Sequence, residues 1–348
     1  MALTSLWSRV ADLPLVVDGC AFETLAPGPE FAEDAHSTRL VRLSGAGAEG
    51  LSEDITLFIG DTPELPLAGE WTLASFADHL ASLEQWPEPP EWDMARRWRN
   101  WGYEAAALDL ALNQAGMPLH EALGLDPQPI AFVNSLGLGE PASVDTILRR
   151  LERYPDLRFK LDAAPDWSEE IVAALVGTGA VHTVDFKGRY GLEVEDVGAL
   201  AAMYERVLAA FPHALLEDPH DLPEITPLVE RHADRVSYDA PIHTVADLDA
   251  LSLPARTINV KPCRVGSLRD LFALYGACEE RGLALYGGGM GELGVGRGQV
   301  QVLAALFHPD GPNDIAPPGF NALDPAAGLP ESPLSPEPAA SGFRRRAA

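Results

Sequence analysis

Lysine is rare in this chain and occurs where it could carry out proton chemistry. The three lysines are Lys160, Lys187 and Lys261, and the other 22 of the 25 basic residues are arginine. Each lysine lies in or directly after an apolar run typical of a buried strand, and the first two have an aspartate two residues away, Asp162 and Asp185. Residues two apart on a strand point to the same side. A lysine beside carboxylates can act as a general acid or base, so we expect one shared site.

Acidic residues follow the same pattern in neighbouring runs. Asp185, Glu217 and Asp239 stand at the ends of three successive apolar runs. Carboxylate oxygens converging from three adjacent strands suit a hard cation such as Mg²⁺, which keeps coordination sites for substrate oxygens. The competing interpretation is that each acid caps the helix that follows its strand. Three acids in consecutive strands with lysines on either side favour the metal-binding interpretation. The neighbouring Asp218 is expected to point outward or to lie behind Glu217.

These residues need a scaffold that brings many strand ends together. From residue 129 onwards, eight apolar runs alternate with amphipathic segments, a pattern that predicts βα units around a parallel sheet. Eight units in series favour a closed barrel over an open sheet, and active sites of such barrels lie at the carboxyl ends of the strands. We place the α/β barrel at residues 129–317. The proline-rich tail at 318–348 is expected to pack back on the fold or to be partly mobile.

The first 128 residues predict a separate α+β domain. Short β-like runs between residues 15 and 58 are separated by turn residues and indicate a small antiparallel meander. Helical spacing of apolar residues follows at 72–83 and 92–115.

Composition excludes some functions. The 348 residues include 52 acidic and 25 basic side chains, a net charge of −27, which disfavours binding to nucleic acid or to a membrane surface. The three cysteines have no paired spacing, and no apolar stretch is long enough to span a bilayer. We therefore expect a cytoplasmic protein whose partner is a small molecule.

An ordered series of motifs resembles the enolase superfamily, and within it the mandelate racemase and muconate-lactonising-enzyme subgroup, of which this chain is identified as a divergent member. The segments are WGYEAAALDLALNQAGMPLHEALGL from Trp101, then FKLD, VDFKG, LLEDP, YDAP, INVKPCRVGSL and GGGMGELGVG. The likeness covers most of the chain, and the order and spacing of the motifs make it specific.

The resemblance implies a modified TIM barrel, (β/α)7β, capped by the N-terminal α+β domain, whose loops at 27–37 and 52–56 close over the substrate. It implies that Asp185, Glu217 and Asp239 are Mg²⁺ ligands and that Lys261 is a base. It also implies an isomerase or lyase that abstracts the proton next to a substrate carboxylate and forms an enediolate stabilised by the metal. The overall reaction would be racemisation or epimerisation, dehydration or cycloisomerisation. Homo-oligomers are common in this subgroup. A divalent cation supplies the charge stabilisation that such chemistry needs, and nearby cations can lower the pKa of a lysine.

Three positions depart from the subgroup's pattern. The second strand has Lys160-Leu161-Asp162 instead of two lysines, Lys187 replaces an asparagine, and Ala240 replaces an acid. Asp162, Lys160 or Lys187 could therefore serve as the second catalytic group opposite Lys261.

Alternative functions stay open at this point. Internal ion pairs could neutralise the site with no metal bound, which would leave a non-catalytic ligand-binding protein, and metal-free lysine chemistry such as a Schiff base is a third reading. For substrate binding we expect three further residues to contribute: His243, Glu292 and Asp314.

Overall fold

The N-terminal part of the chain forms the predicted α+β domain. A computed structural model describes residues 6–28, 30–31 and 35–346, so part of the predicted closing loop at 27–37 lies outside the described residues. The elements are α1 (Leu6–Val10), β1 (Pro14–Val17), β2 (Gly19–Leu25), β3 (Thr38–Gly45), β4 (Ala48–Asp54), β5 (Gly69–Thr72), α2 (Leu73–Ala81), α3 (Met94–Ala115) and α4 (Leu119–Leu123). Strands β2, β3 and β4 form an antiparallel meander, as the sequence predicts, and β1 pairs with β5.

Helix α3 is the central helix of this domain and packs closely on β4. Its buried face is rich in alanine, and Gly50 of β4 lies directly against it. A Cβ on Gly50 would lie 2.2 Å from the carbonyl oxygen of Ala106, so the close approach of strand and helix requires glycine. The helix ends at Gly116, whose φ of 66° gives a left-handed C-cap.

The second part is the predicted barrel. Its strands are β6 (Asn134–Leu136), β7 (Phe159–Asp162), β8 (Val181–Asp185), β9 (Leu215–Glu217), β10 (Val236–Tyr238), β11 (Thr257–Val260) and β12 (Ala284–Gly287). They lie parallel and side by side in chain order. Residues 313–314 occupy the eighth position, because Asn313 bridges to Phe132 before β6 and Asp314 bridges to Gly288 after β12. The predicted (β/α)7β architecture is confirmed.

Helices surround this sheet. They are α5 (Asp145–Arg153), α6 (Glu169–Thr178), α7 (Val197–Ala210), α8 (Thr226–Glu230), α9 (Pro262–Val265), α10 (Leu268–Glu280) and α11 (Val295–Phe307). A 3₁₀ helix at Val245–Asp249 takes the place of a full helix between β10 and β11, and short 3₁₀ turns lie at Ala233–Arg235 and Pro318–Asn321. None of the helices in the described part of the chain has the length and apolar character that a bilayer crossing requires.

The C-terminal segment contacts both parts of the molecule. Leu334 pairs with Ile130 at the start of the barrel, and Gly342 bridges to Pro118 in the α+β domain. Phe343 is fully buried against Trp101 of α3, with ring centroids 6.3 Å apart. The described tail therefore lies on the fold.

A buried histidine lies at the opposite end of the barrel from the predicted site. His308 follows α11, and its ring nitrogens bond Oδ1 of Asn313 at 2.7 Å and the hydroxyl of Tyr275 at 3.2 Å. Burial lowers the pKa of His308 to about 4, so the ring is neutral near pH 7.

Candidate active site at the mouth of the barrel

The strand register aligns the predicted acids in one row. Asp162 at the end of β7 pairs with Asp185 at the end of β8, and Asp185 pairs with Glu217 at the end of β9. Asp239 and Lys261 directly follow β10 and β11. The carboxyl ends of the parallel strands therefore bring all of these side chains to one end of the barrel, which we call the mouth.

Lys160 is the most enclosed cation of the mouth. Its side chain is 1% exposed, and its ammonium group pairs with Oε1 of Glu217, with Oδ2 of Asp185 at 3.2 Å and with Oδ2 of Asp314 at 3.8 Å. Burial alone would lower the pKa of Lys160, but the three carboxylates outweigh it and hold the pKa well above its usual value. Lys160 is therefore a fixed positive charge.

Lys187 reaches back over the end of β8. Its backbone has a φ of 53°, and its amide donates to Oδ1 of Asp185 at 2.9 Å. Its ammonium group lies 2.6 Å from Oδ2 of Asp185 and 3.1 Å from Oδ1 of Asp162. Burial opposes the charge, but Asp185 more than compensates and raises the pKa of Lys187. Lys187 thus connects the ends of β7 and β8.

Asp239 forms a second ion-pair cluster on the other side of the mouth. Lys261 Nζ lies 2.9 Å from Asp239 Oδ2, and Arg264 from α9 pairs with Oδ1. The hydroxyl of Tyr190, in the loop after β8, donates to Asp239 Oδ2 at 3.1 Å. Burial acts to lower the pKa of Lys261, but Asp239 outweighs burial and raises this pKa above its usual value.

Of the two positions expected for Asp218, the outward one is wrong, because its side chain is fully buried. Its φ of 46° turns the carboxylate inward, where Oδ1 and Oδ2 accept the backbone amides of Asp239 and Ala240 at 2.9 and 2.8 Å. Asp185, Glu217 and Asp218 each offer a carboxylate oxygen, and these atoms lie within 4.8 Å of one another. This buried group of acids has the donor type and spacing that a hard divalent cation prefers.

The charges of the mouth also fit a divalent cation. Within the described part of the chain, the acids are Asp162, Asp185, Glu217, Asp218, Asp239 and Asp314, and the cations are Lys160, Lys187, Lys261 and Arg264. Burial raises the pKa of Glu217 to about 8 and that of Asp218 to about 6, and full ionisation of all six acids would leave two negative charges without a partner. Because uncompensated buried charge is costly, one divalent cation would balance the site.

The three residues expected to bind substrate lie in different places. Asp314 faces the mouth through its contact with Lys160. Glu292, in the loop after β12, is buried and accepts the amide of Met290 at 2.8 Å. His243 is turned away from the acids of the mouth, since its described partners are the carbonyl of Pro241 and the carboxylate of Asp247.

Sequence reasoning missed four residues of the site. Arg264 follows Lys261 by three positions within a quoted motif, so its proximity was a usable signal. Tyr286 on β12 donates its hydroxyl to Glu217 Oε2 from inside the barrel. Arg297 on α11 lines a cavity at the mouth. Glu53, on β4 of the α+β domain, binds the start of α11 and gave no local signal.

Two family models match most of the chain. The model described as Domain of unknown function (DUF8230) C-terminal domain matches residues 126–322, and the corresponding N-terminal domain model matches residues 8–122. The boundary between the two models falls between α4 and β6.

Curated relatives and solved structures give the wider context. An o-succinylbenzoate synthase of Bacillus subtilis is 28% identical over 62% of this chain, which spans only 58% of that relative's length. An N-succinylamino acid racemase of Thermus thermophilus is 29% identical over 88% of this chain and 84% of its own. The solved structures that match include members of the enolase superfamily. A dipeptide epimerase from Methylococcus capsulatus, complexed with Mg ion, is 17% identical over 91% of this chain and 90% of its own, with a TM-score of 0.59. This likeness establishes the fold.

Proposed function

We propose that this chain, which belongs to the DUF8230 family and has the fold of the enolase superfamily, is an isomerase or lyase that removes the proton next to the carboxylate of a small substrate. One observation carries the proposal: three lysines and six carboxyl groups converge at the carboxyl ends of the barrel strands. Active sites of β/α barrels lie at this end. Relatives named as a synthase and a racemase support the class of reaction.

Lys261 is the proposed general base. It follows β11, the sixth of eight barrel positions, and therefore lies across the mouth from β7, the second position, which carries Lys160. A Cβ on Gly288 would lie 2.5 Å from Lys261 Cε, so glycine at that position leaves room for the lysine side chain. Lys261 in its neutral amine form would accept the proton from the substrate carbon on this face, and Lys160 would stabilise the negative charge that develops.

On the opposite face, Asp162 is the group in a position to return a proton. Its carboxylate is about a third exposed and lines a cavity, whereas Lys160 is 1% exposed and held by three carboxylates. Lys187 Nζ lies 3.1 Å from Asp162 and holds this carboxylate in place. Return of the proton to the face opposite Lys261 would give a racemase or epimerase, and loss of a leaving group instead would give a lyase.

A divalent cation, Mg²⁺ by the donor type, would be held by Asp185 and Glu217, with a third carboxylate from Asp218 or Asp239. When bound, it would supply electrostatic stabilisation of the substrate carboxylate. Asp218 lies closer to the first two acids, whereas Asp239 is engaged by Lys261 and Arg264. Calorimetric Mg²⁺ titration of Asp218→Asn and Asp239→Asn separates the two: the variant that loses binding identifies the third ligand.

The test of the reaction is exchange of solvent deuterium into the carbon next to the carboxylate. We expect the purified protein with Mg²⁺ to exchange this proton in N-succinylamino acids, and Lys261→Ala to abolish the exchange. Arg281→Gln is the matched control, because Arg281 is an exposed cation paired with Asp249 on the surface. Exchange that survives in Lys261→Ala, or that is absent in the wild type for every carboxylate tried, would contradict the proposal.

A second function, ligand binding without turnover, is favoured by one observation. The ammonium group of Lys187 lies 2.6 Å from Asp185 Oδ2 and competes with a cation for that oxygen. If Mg²⁺ binds neither the wild type nor Glu217→Gln, and chelators leave ligand affinity unchanged, this second function replaces the first. Trapping of a carbonyl ligand by borohydride would instead indicate metal-free Schiff-base chemistry at a lysine.

A further inference from the structure

A cavity of about 390 Å³ opens beside the acids of the mouth. Asp162 and Asp314 line it, and Asp314 Oδ2 lies 3.8 Å from Lys160 Nζ. Its walls come from the end of β6, the glycine-rich loop after β12 and the segment around the 3₁₀ turn Pro318–Asn321. The cavity therefore extends the site outward from the place where the reacting carboxylate would lie.

Two arginines line this cavity, and their surroundings differ. Arg150 is buried, and its guanidinium donates to Asn134 Oδ1 and to the carbonyls of Thr146, Phe320 and Ala322. Arg297 has no ion pair or side-chain hydrogen bond within the described chain, and its Nε is buried without a partner. The buried Nε–H of Arg297 has given up hydration without receiving an acceptor in return, which points to a ligand.

The position of Arg297 is fixed by its helix and by a glycine. It lies in the first turn of α11, whose preceding amides bond the carboxylate of Glu53. A Cβ on Gly289 would lie 3.3 Å from Arg297 Cζ and 2.6 Å from Glu292 Oε2, so glycine leaves space for both side chains. Glu292 accepts the amide of Met290, and burial raises its pKa while the charge of nearby Arg297 partly offsets this rise. The guanidinium thus lies near Glu292 without a hydrogen bond to it in the described chain, so its donors remain available to a ligand.

We propose that Arg297 binds a second carboxylate of the substrate, at the end distant from the reacting carbon, so that the substrate is a dicarboxylate. This assignment rests on the proposed function for the placement of the first carboxylate. Leu136, Ala316 and Phe320 also line the cavity and supply apolar surface for a short methylene spacer. A guanidinium matches a carboxylate in two parallel hydrogen bonds.

The experiment compares two ligands that differ only at the distant end. N-succinyl-L-valine carries a carboxylate there, and N-butyryl-L-valine carries a methyl group. Both are titrated calorimetrically, with Mg²⁺ present, into the wild type, Arg297→Gln, Arg297→Lys and the surface control Arg281→Gln. We expect the wild type to prefer the succinyl ligand and Arg297→Gln to weaken it by about 10- to 100-fold, while the butyryl ligand changes less than about twofold. Arg297→Lys is expected to restore part of the preference.

The outcomes separate this inference from the proposed function. Equal affinity of the wild type for the two ligands, no binding of the succinyl ligand at millimolar concentration, or an equal loss for both ligands in Arg297→Gln would overturn the role of Arg297. Deuterium exchange is measured in parallel. A carboxylate preference without any exchange would retain Arg297 as an anion-binding residue and refute proton abstraction. Deuterium exchange without a preference for the succinyl ligand would retain proton abstraction and refute the role of Arg297.

Discussion

Glu53 joins the two parts of the molecule, and its replacement by glutamine should loosen the wall of the site. This residue of β4 is 1% exposed. Its carboxylate accepts the hydroxyl of Thr38 at 2.6 Å and the amide of Leu293, and also the amides of Gly294 and Gly296 at 2.9 and 3.1 Å. Three of these donors belong to the start of α11, where a negative charge is also favoured by the helix dipole.

The magnitude follows from counting donors. Glutamine has one acceptor oxygen in place of two, so at least one buried backbone amide at the start of α11 loses its partner, which costs about 1–3 kcal/mol. Loss of the charge at the helix N-terminus adds roughly 0.3–1 kcal/mol. We therefore expect Glu53→Gln to lower the free energy of unfolding by about 2–3 kcal/mol. Arg297 and Glu292 should become less well positioned in the same variant.

The assay is urea unfolding followed by both tryptophan fluorescence and circular dichroism, with amide hydrogen exchange of residues 293–298 as a local measurement. Glu49→Gln is the matched control, because Glu49 lies on the same strand but is exposed and paired with Arg42 on the surface. Exposed ion pairs contribute less than about 1 kcal/mol. The reasoning is refuted if Glu53→Gln costs no more than Glu49→Gln, or if exchange at the start of α11 does not accelerate.

Three further predictions test other parts of the structure. The pKa of His308 is about 4 in the folded chain and near 6.5 when unfolded. The neutral ring therefore stabilises the fold fully above pH 6.5, and about 3 kcal/mol of the free energy of unfolding is lost as the pH falls towards 4. Urea unfolding of wild type and His308→Asn at pH 7 and 4.5 should show a difference in unfolding free energy between the two proteins that shrinks at the lower pH. Gly50→Ala forces a Cβ into the backbone of α3 and should unfold in the heat well before Gly137→Ala, where a Cβ meets nothing within 4 Å. Lys187→Asn removes a cation that competes for Asp185 Oδ2 and should bind Mg²⁺ about tenfold more tightly by calorimetry, whereas Arg189→Gln should not.

The fold is largely readable from the sequence because its signals are local. Apolar runs of strand length alternate with amphipathic segments, and polar residues follow each run, so strand count and strand ends can be predicted without contacts. The eighth position is weaker in the structure than in the pattern: pairing is limited to residues 313–314, between Pro312 and Pro317, which lack the amide that a longer ladder would use.

The site is only partly readable because its charges interact over long sequence distances. The acids and lysines could be assigned to strand ends, but Glu53 lies 241 residues from its partner Gly294. The inward turn of Asp218 depends on a backbone with positive φ, which is uncommon for aspartate and leaves no signature in the pattern. Arg297 stands in a glycine-rich segment that predicts a loop, and only the folded cavity shows that its guanidinium lacks partners.

The two departures at Asp162 and Lys187 belong together. The register pairs Asp162 with Asp185, and Lys187, two residues further along, turns back through its positive φ and places its ammonium group 3.1 Å from Asp162. An ammonium group therefore still lies beside the end of β7, where the family resemblance places a second lysine, although it comes from the neighbouring strand. If the site no longer bound a metal ion, replacing or pairing its remaining acids would stabilise the fold, since buried uncompensated charge costs several kcal/mol per ion. In this mouth six carboxyl groups face four cations, so their full ionisation would leave two negative charges, the balance that one divalent ion would complete.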